Sequence, residues 1–128
     1  MIINLVIIFI EELKKMGLDK GENLIVTSPY EAMAKALKEE APALLFASTQ
    51  PEILKITAMK SMHLIEALQL RADIVIHPIF IKNETFFDSE LMNEIKRRHK
   101  RFIVGPVSSA AEIESAKALN PWGVLVSR

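Results

Sequence analysis

Cysteine is absent from the 128 residues, which excludes disulfides, thiolate metal sites and a cysteine nucleophile together. A surplus of either charge is also missing. Sixteen Lys and Arg balance sixteen Asp and Glu, so the chain lacks the summed positive field behind most non-specific nucleic-acid affinity. Glycine is scarce, with four residues, and none falls into the spacing of a Walker or dinucleotide-binding loop. No apolar run reaches bilayer length: the longest, Ile2 to Ile10, is interrupted by Asn4 and ends at Glu11 and Glu12. It also lacks the preceding positive charge and small-residue cleavage pattern of a secretory signal, so core is the expected role and the cytoplasm the expected location. What remains is half hydrophobic and a quarter charged, the composition of one folded domain over residues 1–128, with no linker and no low-complexity tract.

A short unit recurs along that domain. An apolar run ends in small polar residues, and a helix with a start signal follows. Leu24-Ile25-Val26 runs into Thr27-Ser28-Pro29-Tyr30-Glu31, where Ser28 is the expected cap, Pro29 the first helical residue and Glu31 the partner closing a capping box. Tyr30, Met33, Leu37 and Ala41 then share a helix face. Leu44 to Ala47 runs into Ser48-Thr49-Gln50-Pro51-Glu52, with Thr49 as cap, and an apolar helical pattern continues through Ile53, Leu54, Ile56, Leu64, Ile65 and Leu68. Phe102 to Val104 runs into Gly105-Pro106-Val107-Ser108-Ser109, with Ser109 and Glu112 as a third box. Ala72 to Ile76 and Gly123 to Val126 complete five strands, and an initial helix from about Ile3 is ended by Gly17 behind Lys14 and Lys15.

Strands apolar on both faces and separated by helices specify an α/β class with a parallel sheet. Two architectures fit: five βα units of a (β/α)₈ barrel, or a five-stranded doubly wound open sheet. Both place ligands at the carboxyl ends of the strands, where this sequence puts hydroxyls and one imidazole. Ser28, Ser48, His77 and Ser108 are the candidate ligand-lining residues, beside Thr27, Thr49, Ser109 and Ser127. His77 alone can exchange a proton near neutral pH, and it opens the irregular segment Pro78 to Phe87, a plausible site loop. Gly105 to Ser109 is the best phosphate-type loop, since Gly105 permits close backbone approach. No strand end carries the clustered oxygen or imidazole ligands of a metal site, or two facing acids, so neither catalytic nor metal-ligating residues are assigned. His63 and His99 lie in helical sequence and are expected in surface or packing roles. Lys96-Arg97-Arg98-His99-Lys100-Arg101, without interleaved aromatics, reads as a solvated helix end and not as a nucleic-acid site.

The segment order resembles the C-terminal part of the glycerophosphodiester phosphodiesterase family of phospholipase-C-like barrels. The resemblance runs from about residue 11 to 128. It is carried by Leu24 to Pro29, by Phe46-Ala47-Ser48 through Leu68, by Arg71-Ala72-Asp73-Ile74-Val75-Ile76-His77-Pro78, and by the close at Gly123 to Arg128. It implies the last five βα units of a TIM barrel, a family activity hydrolysing glycerophosphodiesters to glycerol 3-phosphate and an alcohol, and a divalent cation, Mg²⁺ or Ca²⁺. The chain departs from the pattern where chemistry is expected. The family's Trp-Thr-Val-Asn stretch keeps only its valine in Gly105-Pro106-Val107-Ser108, and the closing acid is replaced by Ser127. No His-Arg-Gly or Glu-x-Asp receives the family's catalytic set.

Open apolar sheet edges are therefore expected, with self-association or a complementing chain as the partner, a glycerophosphodiester-like small molecule as the ligand, and no nucleic acid. A fragment, a truncated relative and a self-sufficient open sheet are the structural alternatives. A non-catalytic binding module from a degenerate barrel is the leading functional alternative. A receiver-like regulatory domain is less well served, since Asp73 lies at the wrong end of its strand.

Overall fold

The computed structural model describes residues 2–18 and 24–127 of the chain. Its elements are α1 (Ile2–Lys15), β1 (Ile25–Val26), α2 (Glu31–Glu40), β2 (Leu45–Phe46), α3 (Gln50–Ser61), a 3₁₀ turn (Ile65–Ala67), β3 (Ile74–His77), β4 (Phe80–Ile81), β5 (Glu84–Thr85), α4 (Ser89–Arg97), β6 (Arg101–Val107), α5 (Ala110–Ala118) and β7 (Gly123–Val126). The five expected strands are all found, and the α/β class holds.

The parallel pair β1–β2 and the parallel ladder β3–β6–β7 meet at a bridge between Ala47 and Ile74. Ser48 N–H donates to the Ile74 carbonyl at 2.8 Å and Asp73 N–H to that of Phe46 at 2.8 Å, which continues the row across the junction. The five parallel strands thus stand in chain order, β1-β2-β3-β6-β7, without the reversal that defines a doubly wound sheet.

Partners in parallel register share a face, so the pairs Val75–Phe102, His77–Val104 and Val104–Val124 lie on one side of the sheet. That side meets the helices. Val75, Val104 and Val107 pack with Ile53, Ile56, Phe86, Phe87, Leu91, Ile95 and Ala116 in the larger hydrophobic cluster. Val26 and Phe46 face a smaller one with Val6, Ile10, Leu13, Leu37, Ala41 and Leu44. Ile25, Leu45, Ile74, Ile76, Ile103 and Leu125 alternate with these residues and belong to neither cluster, leaving an aliphatic second face.

Helix ends follow local chemistry. At Gly17, with φ +72°, Leu18 N–H returns to the Leu13 carbonyl and Gly17 N–H to that of Lys14, a Schellman stop. Thr49 and Ser109 cap α3 and α5 by accepting from the Glu52 and Glu112 amides, but neither box closes, since the Glu52 carboxylate accepts from Ala72 N–H and that of Glu112 from Ser108 N–H. The expected box at Ser28 is not formed. Tyr30 is the cap residue of α2, with no side-chain bond, and Ser28 Oγ instead accepts from Tyr30 N–H at 3.1 Å. Glu31 pairs with Lys55 at 2.6 Å, and Tyr30 is exposed, away from the face shared by Leu37 and Ala41. The helical pattern expected through Leu68 breaks after Ser61, where His63 takes a left-handed φ of 56° and Leu64 N–H closes on the Met59 carbonyl. His99 ends α4 the same way at φ 55°. Both histidines are helix stops, a use of the left-handed region for which histidine is enriched.

Among the described residues no helix is long and apolar enough to cross a membrane.

Candidate functional site

The four residues expected to line a ligand do not converge as free groups. Ser28 is buried and its hydroxyl accepts from Tyr30 N–H. Ser48 Oγ accepts from Ile76 N–H at 3.1 Å, bracing β2 against β3 one residue before His77. Ser108 is exposed, and its amide donates to the Glu112 carboxylate at 3.4 Å. The clearance at Gly105 is taken up by the sheet itself. A Cβ there would fall 2.6 Å from the Leu125 Cβ and closer still to the Leu125 carbonyl oxygen. Register slips by one residue between Val104 and Val107 opposite β7, so Gly105-Pro106 forms a bulge. Pro106 has no N–H for a ladder, and a bulge is where a strand tolerates that.

His77 is the one candidate with an ionisable group left to offer. It shares the helix-side face with Val75 and Val104, and its ring lies on Phe86, centroids 4.1 Å apart. Nδ1 sits 2.8 Å from the Pro78 carbonyl oxygen. A carbonyl only accepts, so Nδ1 carries the proton and Nε2 the lone pair. Nε2 has no protein partner among the described residues and is not a buried orphan, so it reaches solvent. Burial holds the imidazole below its ordinary pKa, the Pro78 bond opposes this, and the Lys60 charge adds to the lowering.

The expected irregular segment Pro78 to Phe87 contains a hairpin. Strands β4 and β5 pair antiparallel, Phe80 with Thr85 and Ile81 with Glu84. Lys82 and Asn83 between them both have positive φ, 48° and 69°, the signature of a type I′ turn. Asn83 was the readable signal for it. The hairpin is tied to α3 by a residue that sequence reasoning passed over. Lys60, its side chain 13% exposed, donates to the Thr85 carbonyl at 3.3 Å and to the Phe86 carbonyl. It also pairs with Asp88 at 3.1 Å and stands 5.1 Å above the Phe86 ring. Between α3 and the hairpin runs an open groove of about 530 Å³, lined by Ile53, Leu54, Thr57, Ile81, Phe86 and Lys60 among others. Compared with family models, curated proteins and solved structures, the chain matches none.

The implied divalent cation does not fit these residues. Among the described residues no three His, Asp or Glu side chains cluster to hold a metal. The carboxylates nearest the sheet are committed elsewhere. Asp73 binds Lys38 at 2.7 Å and accepts from Phe46 N–H, at the amino end of β3. Buried Glu52 accepts from Ala72 N–H at 3.3 Å, and burial raises its pKa above the ordinary value against that bond. Glu94 is held by Arg97 and Arg98, whose hydrogen bonds lower its pKa against burial. The basic run is accordingly more than a solvated end. Arg98 turns inward to the carbonyls of Leu68, Ile65 and Glu66, and Arg101 stacks on Trp122 at 4.8 Å.

Proposed function

We propose that the chain forms a wall of a glycerophosphodiester phosphodiesterase-like barrel and takes a small phosphodiester at the carboxyl ends of its strands. The single observation behind this reading is the strand row, five parallel strands in chain order with helices against one face. Its aliphatic second face is what the packed interior of a parallel barrel carries. The described residues bring to such a ligand backbone amides and hydroxyls, with the Nε2 lone pair of His77 standing on the helix side of the strand ends and not on the aliphatic face. They do not bring the cation cluster or the acid pair that hydrolysis requires.

A second reading, a binding module without catalysis, is favoured by the commitment of Ser28, Ser48 and the Nδ1–H of His77 to backbone partners. Incubation with glycerophosphocholine and Mg²⁺ or Ca²⁺, read as released glycerol 3-phosphate with a chelator control, separates the two. We expect binding, seen as a shift of the His77 ring resonances, and no release. Chelator-sensitive release would establish hydrolysis, and neither binding nor release would overturn both readings. Association through the edges β1 and β7, where Leu125 and Val126 are 48% and 54% exposed, is part of the same proposal. Sedimentation across a dilution series tests it, and a concentration-independent monomer would refute it.

A further inference from the structure

We infer that Lys60 is a positioning residue for His77: by clamping the Thr85–Asp88 stretch to α3 it holds the Phe86 ring against the imidazole and keeps Nε2 in place as a free acceptor. The inference rests on the reading of His77 as a ligand-facing group.

Three observations carry it. Lys60 reaches two consecutive carbonyls and one carboxylate on a single short stretch, so one side chain fixes the path of that stretch. Phe86 is buried and touches both partners, with the ammonium 5.1 Å from its centroid and the imidazole centroid at 4.1 Å. The Pro78 carbonyl fixes the tautomer, and the Phe86 ring, tilted 33° to the imidazole, packs against one of its sides. Among the described residues, Lys60 is also the charge that adds to the lowering of the His77 pKa.

The test is ring NMR of His77 through a pH titration, in the full chain and in Lys60→Met, Lys60→Arg and Phe86→Leu. In Lys60→Met the midpoint is expected to rise towards that of an exposed histidine, since the like charge and the desolvating ring are both relaxed, and the Nδ1–H tautomer should give way to a mixture. Lys60→Arg should restore the parent values, because a guanidinium reaches the same carbonyls. Phe86→Leu leaves the Lys60 contacts to backbone in place and should move the midpoint in the same direction. An unchanged midpoint and tautomer in folded Lys60→Met would overturn the proposal. Were that variant to lose its fold, an unchanged titration in Phe86→Leu would overturn it equally. Glycerophosphocholine binding is measured alongside: its absence in the parent defeats the functional reading, while the titrations still decide the role of Lys60.

Discussion

The two ends of the strand row are built to different standards. From β3 onward, strands of four to seven residues form a three-stranded ladder, and α4 and α5 begin with Asp88 and Ser109 as side-chain caps. Before it, β1 and β2 have two residues each, α2 has no side-chain cap, and the smaller cluster depends on α1 packing against α2. The outer face of α1 stays apolar, with Leu5 57% and Ile8 58% exposed. The difference shows where a functional group can be held still. His77 lies on the ladder against Phe86, whose stretch Lys60 ties to α3, whereas Thr27 and Ser28 follow the shorter pair.

The comparison breaks most visibly in the cores. Phe87→Ala should cost about 3–5 kcal/mol and remove slow amide exchange everywhere, since Phe87 is buried at the centre of the larger cluster. Leu37→Ala should cost roughly 2–5 kcal/mol and speed exchange only in α1, α2, β1 and β2. Equal loss in both regions would show one cooperative unit. Gly105→Ala should destabilise by roughly 3 kcal/mol, because the new Cβ meets the backbone of β7 at φ +152°. Its exchange signature should fall on β6 and β7.

Capping gives a finer contrast. Ser109→Ala should cost about 1 kcal/mol in a urea melt, and Ser28→Ala, which removes no helix cap, about half that or less. Equal losses would mean that the Ser28 bond to Tyr30 does a cap's work.

The smallest effect is in pH. His77 has a folded pKa below its ordinary 6.5, so the stability it contributes is complete above 6.5 and is lost as pH falls through the folded value. Glu52 has a folded pKa above its ordinary 4.5, so its contribution is present below 4.5 and lost as pH rises through the folded value. Glu52 sits at the seam between the two regions, through its bond to Ala72 N–H. Glu52→Gln should therefore flatten the decline above pH 4.5 in urea melts and leave the His77 limb untouched.

Much of this fold was legible because apolar runs and start signals are local. Five strands, the Gly17 stop and the caps at Thr49 and Ser109 follow from residues a few positions apart. The Ser28 box carried the same letters and failed, because Pro29 and Tyr30 precede the first helical turn and Glu31 found Lys55 in another helix. The site was less legible for the same reason. His77 could be named from its place after an apolar run, but Lys60 and Phe86 acquire roles only when residues 26 positions apart meet. Gly105 was correctly marked as a place of close approach, yet what approaches is the chain's own Leu125. Glycine signals room, and it does not say for whom.

The order of the strand row also governs how the chain can assemble. Register partners are 20 residues apart at β1–β2, 27 at the Ala47–Ile74 bridge and at β3–β6, and 20 at β6–β7, falling to 19 past the bulge. Each new strand of the row docks on the row's previous member, with the β4–β5 hairpin formed in passing, and none waits for a distant partner. A chain emerging from the ribosome can therefore add one unit at a time to a growing edge, with loop closures of modest and nearly constant entropy. During synthesis the exposed strand at that edge is always the newest, and chaperone demand should track it along the sequence.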